Sequence, residues 1–217
     1  MRIDQIVRLL RQEHGPRSWK PKRDPMSTLV ATVLSQNTSD VNSERAFDSL
    51  MAAFGGWEAV ADASPSEISR SIRAGGLAEI KARRIKNMLQ EVGRERGGFD
   101  LDFLGSFSLA EAKAWLMKLP GVGPKTAACV LLFSLGRPAL PVDTHVFRVA
   151  RRLGLLHSKV SAGQAHEILE NLIPAGQVYE FHLNMVEHGR KVCKAQRPRC
   201  HLCVLRELCP SATEARG

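Results

Sequence analysis

No stretch of this 217-residue sequence reaches the ~18 consecutive apolar residues of a membrane span, so no membrane partner is expected. The first residues, Met1 to Gly15, carry charges throughout their apolar pattern, which does not fit a signal peptide. Alternating apolar and polar runs are missing, which argues against a sheet, and the lack of an internal repeat argues against a solenoid. Negative charge is scarce: 22 Asp and Glu stand against 31 Lys and Arg, for a net charge of +9 and a pI near 9.7. That balance favours a polyanionic partner, nucleic acid before membrane. Cysteine is scarce too, with only Cys129 ahead of Cys193, Cys200, Cys203 and Cys209. Such bunching suits metal ligands in a reducing, cytoplasmic compartment rather than a disulfide framework.

What the sequence does have is helical periodicity. Ile3, Ile6, Val7 and Leu10 mark a first amphipathic helix, and Leu29, Val30, Val33 and Leu34 another. Phe47, Leu50, Met51 and Phe54 mark the next. Ser64-Pro65-Ser66-Glu67 and Ser108-Leu109-Ala110-Glu111 are capping boxes, and Ser161 to Gln164 starts a later helix in the same way. Leu77, Ile80, Ile85, Met88, Leu89 and Val92 are expected to line the inner face of a long helix. Lys81, Arg83, Arg84 and Lys86 then form its solvated face. Val146, Val149, Ala150 and Leu153 make a further helix, and one from about Tyr179 to Lys191 leads into the cysteines. The count is about ten helices, with Ser211 to Gly217 as a loose tail.

The stretch from Leu119 to Asp143 carries the most chemistry. Gly121 and Gly123 flank Val122, and glycines let a chain turn through positive φ and bring its N–H groups close to a phosphate. Pro124 suits a first helical position, and the following residues, Thr126 to Leu135, are apolar on nearly every side. Lys125 therefore sits at the positive end of a buried helix, where both surroundings disfavour an ammonium. A neutral lysine is a nucleophile, although the same pattern also serves as a plain phosphate clamp. Asp143, before Thr144-His145, has the place of an N-cap. The helix carries the chain roughly 15 Å from Lys125 and the extended return can cover up to about 26 Å, so the two side chains are within reach.

The cysteines follow the pattern C-x6-C-x2-C-x5-C. Four thiolates this close require a soft metal. Spacing by itself leaves two choices: zinc, which often takes short cysteine pairs such as Cys200 and Cys203, or an iron-sulfur cube with wider gaps. Lys194, Arg197 and Arg199 lie in the loop between the first two cysteines, where a fixed loop would set them against a phosphate backbone.

The segments Leu119-Pro120-Gly121-Val122-Gly123-Pro124-Lys125-Thr126-Ala127 and Val142-Asp143-Thr144-His145, with the four cysteines, resemble the helix-hairpin-helix DNA glycosylases of the endonuclease III type. The resemblance covers nearly the whole chain. It implies an all-α, two-lobed fold: a six-helix barrel domain with the helix-hairpin-helix at 20–137, and an iron-sulfur domain built from 1–19 and 138–217. DNA would lie in the cleft between the lobes. It also implies a [4Fe-4S] cluster on Cys193, Cys200, Cys203 and Cys209.

By the same resemblance, Lys125 attacks the sugar C1′ of a damaged nucleotide and Asp143 assists by relaying a proton or stabilising the cationic sugar. Gln36 and Leu77 match residues inserted into the duplex, while Gly121, Val122, Gly123, Thr126 and His145 belong to the DNA-contacting motifs. The implied activity is that of a bifunctional glycosylase and abasic-site lyase of base excision repair. It would remove oxidised pyrimidines from duplex DNA as a monomer, associated with the nucleoid through DNA. The competing readings are a monofunctional mismatch glycosylase and a non-catalytic DNA-binding module. The adenine-mismatch type has a glutamate in the helix before the glutamine, and Leu29 to Leu34 has no carboxylate. Two positions depart from the better-known bacterial pattern: Ser35 precedes Gln36 where alanine is common, and Ala78 stands where an aromatic is frequent.

Overall fold

A computed structural model describes residues 2–214, and all regular structure among them is helical. The chain divides into two compact units: residues 21–137, and a second formed by residues up to 20 with those from 138 onward.

The unit of residues 21–137 holds seven α-helices. These are α2 (Pro25–Leu34), α3 (Asp40–Phe54), α4 (Trp57–Asp62), α5 (Pro65–Ser71), α6 (Ala78–Arg96), α7 (Leu109–Lys118) and α8 (Pro124–Leu135). At its centre α2 packs along α8. Both are apolar on nearly every side because both are enclosed: α2 buries Met26, Leu29, Val30, Val33 and Leu34, and α8 buries every residue from Thr126 to Leu132. Fully burying one such Leu or Val contributes roughly 1.5–3 kcal/mol, so this pair dominates the core. Asp24 caps α2, accepting the Ser27 N–H at 2.8 Å, and Pro25 takes the first position, where no donor is needed. Ser64 and Ser108 start α5 and α7 through complete capping boxes.

The other unit pairs α1 (Arg2–His14) with α11 (Val178–Lys191), and α11 with α9 (Thr144–Arg152); α10 (Ala162–Leu172) and α12 (Pro210–Glu214) complete it. The N-terminal segment belongs here because Ile6, Val7 and Leu10 are buried and Arg17 Nε donates to Asn184 Oδ1 at 3.2 Å. Arg2 Nη2 donates to the Leu208 carbonyl at 2.8 Å, fastening the start of the chain to the cysteine-bearing segment.

Several expectations need correction. Lys81 is not on a solvated face: it is 1 % exposed, and its Nζ donates to the Leu34 and Gly75 carbonyls. Ile80, expected inside, is 51 % exposed. The helix turns its inner face further toward Lys81 and Ala82 than the apolar letters suggest, because the long lysine stem fills core space while its ammonium finds oxygens. The short helix α4 escaped the periodic reading, and the start of the expected loose tail is helical. Pro210–Glu214 is helical with Ala212 buried, while 215–217 lie outside the described residues.

Candidate nucleic-acid interface and metal centre

The hairpin turn follows α7, and in it the Val122 N–H donates to the Leu119 carbonyl at 3.1 Å. Gly121 has φ +79°, so the left-handed position is real there, whereas Gly123 at φ −99° is extended and serves as the N-cap of α8. The backbone angle at position 123 does not call for glycine, and a Cβ there would meet nothing within 4 Å. Val122 and Thr126 are buried, so of these two only the backbone can face a phosphate. Pro124 has no N–H, and the amides of Lys125 and Thr126 lie in the first turn of α8, where no helical acceptor exists. Lys125 is partly exposed in that turn, and its amine makes no hydrogen bond or ion pair among the described residues.

Two other loops of the same unit carry Gln36 and Leu77. Gln36 lies just beyond the end of α2, and its Oε1 accepts from Arg84 Nη1 at 2.8 Å. The Arg84 stem also packs on the hairpin, with its Cδ 3.4 Å from where a Cβ on Gly121 would be. Leu77 is 53 % exposed and has φ +49°, an unfavourable backbone for a branched residue.

In the other unit, Asp143 caps α9 through Oδ1, which accepts the Val146 N–H at 2.8 Å. His145 Nδ1 lies 3.2 Å from Arg148 Nη2. All four clustered cysteines line one cavity of about 70 Å³, together with Arg152, Val192, Pro198, Arg199, Ser211 and Ala212. Among the described residues no group of three or more His, Cys, Asp or Glu side chains is set to hold a single ion. Burial, reinforced by Cys193, Cys209 and Cys200 against a lowering Leu205 backbone hydrogen bond, pushes the Cys203 thiol up to about 11. Thiols held this high give up their protons when a metal takes the charge. His201 is exposed, and Cys129 is buried in α8 as a small core residue.

Sequence reasoning did not find the residues that hold this segment. Arg152 Nη1 donates to the Lys194 carbonyl at 2.7 Å and to Cys193 Sγ at 3.3 Å, and Arg148 Nε donates to the Cys193 carbonyl at 3.1 Å. Four residues apart on α9, they share a face, which is a visible signal, but what that face meets is a tertiary matter. Lys194 is partly exposed, and Arg197 and Arg199 are exposed.

Comparison with known proteins fits this geometry. Residues 30–175 match the family described as HhH-GPD superfamily base excision DNA repair protein, and residues 193–209 match the iron-sulfur binding domain of endonuclease III. The endonuclease III of Thermotoga maritima is 38% identical over 194 residues, covering 89% of this chain and 86% of that protein. The chain belongs to the endonuclease III family of HhH-GPD glycosylases. An Arabidopsis thaliana protein carrying a DNA glycosylase name is 42% identical over 165 residues, and the match spans only 56% of that longer protein. A solved structure of a trapped endonuclease III–DNA covalent intermediate superposes with a TM-score of 0.85 at 29% identity, covering 99% of this chain and 97% of that one. A thermostable thymine-DNA glycosylase shares the fold, with a TM-score of 0.81 at 23% identity. This member of the endonuclease III family is thus a base excision repair DNA glycosylase that binds DNA and carries a [4Fe-4S] cluster. No helix among the described residues is long and apolar enough to cross a membrane.

Proposed function

We propose that the chain is a bifunctional glycosylase and abasic-site lyase that removes oxidised pyrimidines from duplex DNA. The observation that carries this reading is Lys125, an unpaired amine in the first turn of α8 directly after a turn suited to phosphate. A phosphate held by the hairpin amides would bring a sugar to that amine. The neutral amine attacks C1′, and the glycosidic electrons leave with the base, which takes a proton from water. The attached amine loses a proton as the C1′–O4′ bond opens and O4′ takes one up, and the imine so formed, once protonated, acidifies the C2′ proton. Its loss expels the 3′-phosphate by β-elimination, and water then releases the lysine.

Asp143 uses one carboxylate oxygen as a cap, which leaves the other to relay a proton or to stabilise the cationic sugar. Gln36 and Leu77 fill the gap left by the extruded nucleotide. His145, Lys194, Arg197 and Arg199 contact the DNA backbone. Cys193, Cys200, Cys203 and Cys209 would hold the [4Fe-4S] cluster, which when bound supplies a rigid tie for the basic loop. The protein works as a cytoplasmic monomer on the nucleoid.

The test is borohydride trapping on a duplex with one thymine glycol, comparing the wild type with Lys125→Gln. A covalent protein–DNA band in the wild type alone supports the imine. Base release without a band would leave a monofunctional glycosylase, and binding with neither product would leave a DNA-binding module.

A further inference from the structure

Lys81 is among the largest fully buried side chains of the described residues, and it is a cation. Its Nζ donates to the Leu34 carbonyl at 2.6 Å and to the Gly75 carbonyl at 2.8 Å. Burying an ammonium is costly unless oxygens replace its water, and an apolar residue of the same volume would avoid that cost. What the lysine provides instead is a fixed geometry between two oxygens.

Those oxygens have particular addresses. Leu34 is the last residue of α2, so its carbonyl lies beyond the helical ladder, and Gln36 follows two residues later. Gly75 ends a short 3-10 turn, and Leu77 follows two residues later. The two loops therefore meet at their bases, two residues before Gln36 and Leu77. Gly75 permits the meeting, because a Cβ there would come 3.0 Å from Ala46 Cβ and 4.0 Å from the Leu34 oxygen. Beyond the anchor, Leu77 keeps its positive φ and stands exposed, a strained conformation that persists only when its surroundings over-determine it.

We propose that Lys81 is a positioning residue that clamps the loops of Gln36 and Leu77 at one spacing, so that both side chains enter the duplex together. This rests on the insertion roles given above to Gln36 and Leu77. Two residues entering one stack must arrive in register, and a displacement of about 1 Å can cost on the order of 100-fold in rate. A clamp of this kind acts on opening the duplex and not on the chemistry at C1′.

The experiment compares wild type, Lys81→Met and Lys81→Arg in single-turnover excision of thymine glycol, from a fully paired duplex and from the same strand unpaired in a bubble. Lys81→Met should lose about 10- to 100-fold on the paired duplex and under about threefold in the bubble, with Lys81→Arg recovering part of the paired activity. Adding Leu77→Ala to Lys81→Met should cost much less than Leu77→Ala costs alone. If Lys81→Met fails to fold, Gly75→Ala takes its place, because its Cβ would press on Ala46 Cβ at 3.0 Å and shift the Gly75 carbonyl without stranding a charge, and the same selective loss is expected. Equal losses on both substrates, or no loss on the paired duplex, would overturn the clamp while leaving the glycosylase reading intact. A wild type inert on both substrates would overturn both.

Discussion

Arg84 Nη1 donates to Gln36 Oε1 at 2.8 Å, and the same side chain lies against the hairpin at Gly121. One residue of α6 thus touches both a candidate insertion loop and the candidate phosphate turn. An exposed hydrogen bond contributes about 0.5–1.5 kcal/mol, so Arg84→Ala should reduce excision from duplex DNA by about 2- to 10-fold. Arg84→Lys keeps the stem and loses the planar fork, and should fall between the two. Single-turnover excision on one duplex checks the order.

Gly189 in α11 faces His145 across the α9–α11 contact. A Cβ there would sit 2.8 Å from His145 Cβ, closer than packed atoms allow, and 3.2 Å from Arg148 Nη2. Gly189→Ala should destabilise the protein by about 1–3 kcal/mol, read as a lower urea midpoint. Gly98→Ala, where a Cβ would meet nothing within 4 Å, is the matched control and should move the midpoint little.

The four cysteines that line one cavity predict a metal-dependent loop. Cys203→Ser should lower bound iron and sulfide and weaken DNA affinity, and chelation of the wild type should do the same. Arg152→Met removes donors to Cys193 Sγ and the Lys194 carbonyl, and should ease iron loss to a chelator without abolishing assembly. Metal analysis and a salt titration of DNA binding measure both effects.

Glu44 accepts a hydrogen bond from Arg23 and one from Lys22 Nζ at 2.7 Å, and these bonds hold its carboxyl below the usual 4.5. A depressed carboxyl pKa adds stability that is present above the unfolded value and is lost as pH falls through the folded one. Glu44→Gln should therefore be slightly less stable than wild type at neutral pH, with the gap closing below the unfolded value. The pair is partly exposed, so the difference is small, and urea midpoints at neutral and acidic pH would show its sign.

Local signals in this chain read out correctly because their physics is local. Ser64, Ser108 and Ser161 start helices because a hydroxyl and a carboxylate or amide three residues later satisfy the orphan donors of the same turn. The left-handed Gly121, the buried α8, the N-cap Asp143 and the four cysteines that share one cavity likewise follow from neighbours in sequence. Charge and apolarity were poorer guides wherever fate depended on a distant partner. Lys81 looks like surface until the Leu34 and Gly75 carbonyls come to its amine, and Ile80 looks like core until the helix face is set by what covers it. Arg148 and Arg152 become supports of the cysteine segment only once residues some forty positions away fold back onto α9. By itself the sequence determined most of the longer helices, the capping boxes that start several of them and the chemistry each segment could carry. Tertiary structure alone decided which cations are buried and what they hold, because a long side chain takes its environment from packing across the fold and not from its own turn of helix.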